Sequence, residues 1–135
     1  MKSVNKTIIA FAALIMATLS ACTETETGSP TGDDRDNFTG TWNCTENSTL
    51  YGSGSYTVNI SKVGNFDSIE IKNFYQLGNS TKTIALISGN SITIPNQSVT
   101  GITVYGTGIL SNSKVNMTYY AIDGSLKDTV TSTYQ

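Results

Sequence analysis

The sequence contains no histidine, and it has few charged residues, which make up 13% of its 135 residues. Without histidine, the chain has no Ser-His or Cys-His pair to activate a nucleophile and no imidazole to ligate zinc. Arg35 is the single arginine. Because nucleic-acid binding requires clustered Lys and Arg to neutralise phosphates, we expect no nucleic-acid partner. We also expect no enzymatic activity and no cofactor.

The acidic residues of the C-terminal part do not form a catalytic pattern. A glycosidase needs two carboxylates held about 5 to 10 Å apart, and no spacing here indicates such a pair. Asp123-Gly124 is not followed by the spaced oxygen ligands of a calcium loop, so it predicts a turn. We predict no metal site, and we predict solvated surface acids or turn formers at Glu46, Asp67, Glu70, Asp123 and Asp128.

One long apolar run is present near the N-terminus, from Ile8 to Leu19. It is shorter than the roughly 20 residues that span a bilayer. With Lys2 and Lys6 before it, it has the length and flanks of a secretion signal. The four residues that follow its core, Leu19-Ser20-Ala21-Cys22, resemble the lipobox of a bacterial lipoprotein signal. The resemblance implies cleavage before Cys22, lipid on its sulfur, an acyl group such as palmitate on its amine, and anchoring in the outer membrane. The alternative is an ordinary signal followed by a chance cysteine.

Removal of residues 1–21 leaves 114 residues (135 minus 21), which is the length of one domain. Lipid on Cys22 leaves Cys44 alone, so no disulfide framework can form, and the core must stabilise the domain. With no histidine as a base, Cys44 is predicted to be a small buried residue on a strand.

Residues 22–37 read as a lipidated, disordered tether, because Thr23 to Asn37 contains no apolar residue and is rich in acids, Gly and Thr. Acidic residues just after the lipidated cysteine resemble the export signals of surface lipoproteins in gut-commensal Gram-negative bacteria. This resemblance implies a domain on the cell exterior. A plain acidic spacer is the alternative.

Residues 38–135 show the period-2 alternation of half-buried strands. Asp123-Gly124 and Gly89-Asn90 between such runs are typical of tight hairpins. A bulge is predicted near Asn73, where Phe74 falls out of phase. Eight strands are predicted, at Thr39–Thr45, Ser55–Val63, Ser68–Tyr75, Lys82–Ser88, Ser91–Pro95, Ile102–Leu110, Lys114–Ile122 and Leu126–Tyr134.

Eight short strands with mostly short connections favour an all-β, antiparallel up-and-down barrel. Closure removes the exposed edges that a flat sheet would have. Gly106 and Gly108 within one strand are typical of a sharp bend or a close backbone approach. A two-sheet β-sandwich remains the alternative, because Thr45 to Gly54 and Leu77 to Thr81 are long enough to cross between sheets.

Phe38-Thr39-Gly40-Thr41-Trp42 resembles the Gly-x-Trp motif that opens the barrel in the lipocalin and calycin superfamily. Three later segments resemble small calycin-like lipoproteins of gut-commensal bacteria: Ile92 to Gln97, Gly106 to Gly108, and Met117 to Tyr120. The resemblance implies a calycin-like barrel with Trp42 plugging one end. Asp67-Ser68-Ile69 and Asp128-Thr129-Val130 resemble the O-glycosylation acceptors of those bacteria, with Ser68 and Thr129 as the modified residues.

Two functions are compatible with these features. The first is binding of a small apolar molecule or a glycan in or at the mouth of the barrel, with Trp42 and Tyr119 as ligand-binding residues. The second is a solid-barrel interaction protein, an inhibitor or a subunit of a surface complex, acting through its loops. A cavity lined by aromatic residues would favour the first function. A packed interior with an exposed apolar patch around Leu50-Tyr51 would favour the second.

Overall fold

The structure, a computed structural model, describes residues 32–64 and 66–135. Residues 1–21, Cys22 and most of the predicted tether lie outside the described residues. Within them, eight strands and two short 3₁₀ helices, η1 and η2, follow in order: η1 (Asp34–Asn37), β1 (Gly40–Ser48), β2 (Gly52–Lys62), β3 (Ser68–Lys72), η2 (Phe74–Gln76), β4 (Lys82–Ser88), β5 (Ser91–Val99), β6 (Ile102–Ser111), β7 (Lys114–Asp123) and β8 (Leu126–Tyr134).

Each strand pairs antiparallel with its sequence neighbours, and β1 also pairs with β8, which closes the sheet. The predicted eight-stranded up-and-down barrel is therefore confirmed, and the two-sheet sandwich is excluded. The architecture is consistent with a calycin-like fold. Closure pairs the backbone of β1 and β8, which would otherwise be open edges.

Successive side chains of a strand point to opposite faces of the sheet, so every second side chain points into the barrel and fills its interior. Cys44 is buried, as predicted, and burial raises the pKa of its thiol to about 12. Gly106 and Gly108 mark a close approach between β6 and β7. A Cβ at Gly106 would lie 2.4 Å from Tyr119 Cβ, and one at Gly108 would lie 2.4 Å from Met117 Cγ.

Four strands differ from their predicted bounds by three residues or more. β1 ends at Ser48 instead of Thr45, β2 begins at Gly52 instead of Ser55, and β3 and β5 differ at their ends. β3 ends at Lys72 instead of Tyr75, because Asn73 has a φ of 61° and leaves the extended conformation. The predicted bulge at Asn73 is therefore wrong. β5 extends beyond Pro95 to Val99, and its register with β6 shifts between Ile94 and Gln97.

The packed part of the chain begins before the predicted boundary at Phe38. Asp34–Asn37 form η1, and Arg35 is buried. Its Nε donates to Asp33 at 2.9 Å, and its Nη1 donates to the carbonyl of Ser68 at 3.2 Å. Asp33 neutralises the charge of Arg35, and the carbonyl oxygens accept its remaining hydrogen bonds, so the side chain can be buried. The segment that contains η1 therefore packs on the barrel although it has no apolar residue. We call the end of the barrel at η1 the closed end.

Candidate functional site

The opposite end of the barrel, which we call the mouth, is formed by the β1–β2, β5–β6 and β7–β8 turns and by η2. Phe74 of η2 is fully buried, and its ring centroid lies 4.5 Å from that of Tyr119. Tyr75 and Gln76 have positive φ values of 52° and 56°. Such conformations cost about 1 to 3 kcal/mol each in non-glycine residues and concentrate at ligand-binding segments. Phe74 of η2 therefore fills the barrel interior beneath the mouth, and Tyr75 and Gln76 lie at the mouth in strained conformations that the surrounding structure must maintain.

Glu46 lies inside the barrel beneath η2, with 5% of its surface exposed. Its Oε2 accepts hydrogen bonds from the hydroxyls of Tyr56 at 2.6 Å and Tyr119 at 2.7 Å. Its Oε1 accepts from Gln76 Nε2 at 3.2 Å. Burial raises the pKa of both tyrosines well above the usual range, and the nearby Glu46 adds to this rise. Both hydroxyls therefore stay protonated and act as donors.

Asp128 is the second interior carboxylate at this end, with 1% of its surface exposed. It accepts hydrogen bonds from Ser48 Oγ at 2.6 Å and from Tyr75 Oη at 2.8 Å. The backbone N–H groups of Thr49 and Leu50 also donate to it, at 2.9 and 3.2 Å. Burial opposes ionisation, but these donors outweigh it and lower the pKa of Asp128. Asp128 thereby fixes the β1–β2 turn and the Tyr75 side chain.

The prediction of solvated acids is wrong for three residues. Glu46 and Asp128 are buried inside the barrel, and Glu70 is buried between Lys72 and Lys82. β1 extends to Ser48, so Glu46 falls in phase with Trp42 and Cys44. The inward phase was readable in the sequence, but the donors that make burial favourable come from other strands and from η2.

A pocket of about 300 Å³ opens at the mouth, with Glu46 in its lining. Tyr51, Tyr75 and Gln76 also line it, together with Ser48 and the glycine-rich start of β2. Tyr51 is 73% exposed, so its ring is available to a ligand. A buried carboxylate, an amide and two tyrosines thus converge on one cleft, and a few polar groups placed among aromatic rings are what orients a ligand in a binding site.

An exposed apolar patch borders this pocket. It consists of Leu50, Tyr51 and Leu126, all more than a third exposed. Leu50 and Leu126 line a small cleft of about 30 Å³ beside Tyr75 and Asp128. The patch expected around Leu50-Tyr51 is therefore present, and Leu126 from the β7–β8 turn extends it.

The structure separates the two predicted ligand-binding residues. Trp42 is half-buried near the closed end, and its Nε1 donates to the carbonyl of Phe38 at 2.7 Å. Tyr119 is fully buried below η2 and bound to Glu46. Glu46 follows Trp42 by four residues on β1, which corresponds to about 13 Å along a strand. Trp42 and Tyr119 therefore do not line a common cleft at the mouth.

The predicted modification sites fall in different settings. Cys22 lies outside the described residues. Ser68 is half-buried at the start of β3, and its hydroxyl donates to Asp67 at 3.3 Å. Thr129 is half-buried on β8, and the acidic residue of its motif, Asp128, is inside the barrel. An enzyme that recognises Asp128-Thr129-Val130 would therefore have to act before the barrel closes.

Sequence reasoning did not identify Glu46, Tyr75, Gln76 or Asp128 as site residues. A signal existed for Asp128, which shares a strand face with Val130 and Tyr134. For Tyr75 and Gln76 there was none, because both have positive φ values but neither is a glycine that would mark a left-handed turn in the sequence.

Over residues 32–64 and 66–135, no group of three or more His, Cys, Asp or Glu side chains is placed to hold a metal ion. In the same part of the chain, no helix has the length and apolar character needed to cross a membrane. Comparisons of the chain with protein-family models, with curated proteins and with solved structures find no match.

Proposed function

We propose that this protein is a non-enzymatic, lipid-anchored envelope protein that binds the end of a glycan at the mouth of its barrel. The observation that carries the proposal is the buried carboxylate of Glu46 in a cleft whose rim bears the exposed Tyr51 ring. The carboxyl oxygens of Glu46 accept hydrogen bonds from their neighbours, so a ligand that reaches them must be a donor. Sugar hydroxyls are such donors, and the apolar face of a sugar ring can stack on tyrosine.

The packing favours a glycan over an apolar small molecule. The upper interior is taken by the buried side chains of Phe74, Tyr119 and Tyr134. The space that remains open lies at the mouth, where hydroxyl, amide and carboxylate groups line it. Among the described residues, Gln76 Oε1 accepts no hydrogen bond, so an apolar ligand that covered the Gln76 amide would bury an unpaired acceptor at a cost of about 1 to 3 kcal/mol.

The anchor is proposed from Leu19-Ser20-Ala21-Cys22 and the preceding apolar run. Lipid on Cys22 would hold the protein in the outer membrane, because two or more acyl chains give stable anchoring. The described chain starts at Gly32, next to η1 at the closed end. If the protein is attached to the membrane at that end, the mouth can face away from the membrane. This holds for either face of the outer membrane.

The test is saturation-transfer NMR of the full-length protein in detergent micelles with neutral disaccharides: maltose, cellobiose, lactose and N,N′-diacetylchitobiose. We expect transfer to at least one of them, and its loss in Tyr51→Ala. Phe66→Ala is the matched control, because Phe66 is also highly exposed but lies in the β2–β3 connection at the closed end. Absence of transfer with all four sugars, or equal transfer in Tyr51→Ala, would refute the proposal.

A second function is favoured by the patch of Leu50, Tyr51 and Leu126. Adjacent exposed apolar side chains on loops are typical of protein-binding surfaces. In this case the barrel is a solid scaffold and a partner protein covers the mouth. A photo-crosslinking amino acid at position 126 would then capture one defined protein on intact cells, whereas the same group at position 66 would not. Equal labelling from both positions would argue against this function.

A further inference from the structure

The buried carboxyl groups of this barrel differ in what compensates their charge. A buried charge is normally paired with an opposite charge or held by hydrogen bonds. Glu70 lies 3.0 Å from Lys82 Nζ, and backbone N–H groups of the β1–β2 turn donate to Asp128. Glu46 is also buried, but no Lys, Arg or backbone N–H group of the described chain binds its carboxyl group. Glu46 is therefore the buried acid without a compensating positive group.

Glu46 is held by neutral side chains instead. Its Oε2 accepts hydrogen bonds from Tyr56 and Tyr119, and its Oε1 accepts one from Gln76. Donors around a carboxyl group favour its negatively charged form. A carboxylate offers about four lone-pair sites, two on each oxygen, and the protein uses both sites of Oε2 but one site of Oε1. Oε1, the oxygen that contacts η2 at the mouth, can therefore accept one more hydrogen bond.

The pocket of about 300 Å³ at the mouth, which we call the mouth pocket, places aromatic rings beside this carboxyl group. Tyr51 and Tyr75 line it together with Glu46. The hydroxyl of Tyr75 donates to Asp128 at 2.8 Å, which fixes the position of that ring. Tyrosine rings attract cations within about 6 Å of the ring centre. A carboxyl group and two tyrosine rings in one pocket are thus two independent features that favour a positively charged ligand.

The other charged groups at the mouth act in the same direction. The small cleft beside the mouth pocket is lined by Asp123 and Asp128. In the part of the chain that the structure describes, neither the mouth pocket nor this cleft has a basic residue in its lining. Lys127 is near in sequence, but its Nζ lies over the ring of Tyr120 on the outer wall, 4.1 Å from the ring centroid. The potential at the mouth is therefore negative, which attracts cations.

We propose that the ligand of the mouth pocket carries a positively charged amino group, which binds to Glu46. The inference rests on the proposed function, because it concerns the same pocket, and it names the glycan: a sugar with an unsubstituted amino group. An ammonium group has three N–H donors and no acceptor, so it matches the remaining site on Oε1. Hydrogen bonds between ionised groups are also about twice as strong as those between neutral groups. A neutral sugar would bind through its hydroxyls, but more weakly.

The test compares three disaccharides that share one β-linked backbone and differ at C2 of each ring. The disaccharide of glucosamine has an amino group there, N,N′-diacetylchitobiose has an acetamido group, and cellobiose has a hydroxyl. Dissociation constants are measured by NMR titration of the full-length protein in detergent micelles at about pH 6, where an alkyl amine is protonated. We expect the wild type to bind the glucosamine disaccharide about tenfold more tightly than the other two.

Glu46→Gln removes the charge and keeps the size of the side chain, so the three dissociation constants should become equal within about twofold. Asp67→Asn is the matched control, because it removes an exposed carboxylate at the closed end. It should keep the wild-type preference. If Glu46→Gln does not fold, an intermolecular NOE in the wild type decides the position of the amino group. We expect it between the sugar proton at C2 and the side-chain amide of Gln76, which donates to Glu46.

Each result separates this inference from the proposed function. If cellobiose or N,N′-diacetylchitobiose binds the wild type as tightly as the glucosamine disaccharide, the amino group is not recognised, although the pocket still binds a glycan. A preference that survives in a folded Glu46→Gln variant would also overturn the inference, as would the absence of the NOE. If none of the three sugars binds, both proposals fail. If butylamine displaces the glucosamine disaccharide with equal affinity, the amino group is recognised and the sugar is not.

Discussion

Inside the barrel, the hydroxyl of Tyr119 on β7 donates a hydrogen bond of 2.7 Å to Glu46 Oε2 on β1. These residues are 73 positions apart, and β8 lies between their strands. The bond therefore crosses the interior and links the wall of the barrel to the base of the mouth pocket. Because Tyr56 and Gln76 also donate to Glu46, the carboxylate connects β1, β2, β7 and η2.

Replacement of Tyr119 by Phe should lower the free energy of unfolding by about 1.5 to 3 kcal/mol, which is the usual contribution of a hydrogen bond to a charged group. Packing is kept, since only the hydroxyl is removed. Denaturant unfolding measures the change. Tyr120→Phe is the control, because the next residue is half-buried on the outer wall and should change stability by less than about 0.5 kcal/mol. Equal effects of the two substitutions would contradict the role of Glu46.

Replacement of Asp128 by Asn should destabilise the protein at neutral pH by about 1.5 to 3 kcal/mol, because an amide group would face the N–H donors of Thr49 and Leu50. Those donors and the hydroxyls of Ser48 and Tyr75 lower the pKa of Asp128 in the folded protein. The contribution of the Asp128 carboxylate to stability is therefore complete above the pKa of aspartate in the unfolded chain, about 3.9. It is lost as the pH falls through the lower pKa that Asp128 has in the folded protein.

The difference in stability between wild type and Asp128→Asn should accordingly stay constant from about pH 5 to 7 and shrink below about pH 4. Urea unfolding at a series of pH values measures it. Asp123→Asn is the control, since Asp123 is an exposed residue of the β7–β8 hairpin. If the stability difference between wild type and Asp128→Asn instead grows as the pH falls, the pKa of Asp128 is not lowered in the folded protein.

The barrel could be predicted because its signals are local. Alternation identified the strands, and short turns such as Asp123-Gly124 joined them into a meander. The burial of Glu46 could not be predicted with equal ease. Its position is in phase with Cys44, but a carboxylate at that position reads as a surface residue until its donors are known. Two of those donors, Gln76 and Tyr119, are 30 and 73 residues away.

The two 3₁₀ helices were missed for a related reason. Arg35 is buried because Asp33 and the carbonyls of Gly64 and Ser68 accept hydrogen bonds from it. η2 contains left-handed Tyr75 and Gln76 without a glycine to mark the turn. Both helices depend on tertiary contacts that outweigh the local conformational preferences of their residues, and each covers one end of the barrel. The structure at the two ends was therefore harder to predict than the eight strands.

Replacement of Gly106 by Ala should destabilise the barrel by about 1 to 3 kcal/mol or more, as overpacking of a filled core usually does. The added Cβ would lie 2.4 Å from Tyr119 Cβ and 2.5 Å from the carbonyl oxygen of Thr118, so backbone must move. Gly54→Ala is the control, because its Cβ would meet only the flexible end of Gln76 at 3.1 Å. If thermal unfolding shows similar losses of stability for Gly106→Ala and Gly54→Ala, then the backbones of β6 and β7 can move apart at little energetic cost.

Replacement of Gln76 by Gly should stabilise the protein while weakening sugar binding at the mouth. Gln76 has a φ of 56°, and glycine adopts this conformation without the steric cost of about 1 to 3 kcal/mol. The substitution also removes the amide that donates to Glu46 and lines the pocket. The hydrogen bond from Gln76 is long, at 3.2 Å, and its donor is exposed, so its loss offsets only part of the relieved strain. Glycine also has greater freedom in the unfolded chain, so we expect a net gain below about 1 kcal/mol.

Gln76→Asn separates the two effects, because asparagine tolerates a left-handed conformation but its shorter amide cannot reach Glu46 in the same way. We expect both variants to unfold at an equal or higher temperature than the wild type and to lose saturation transfer to the disaccharide that the wild type binds. If both variants are less stable and bind the sugar normally, η2 serves only to close the barrel. The strain at Tyr75 and Gln76 would then have no link to binding.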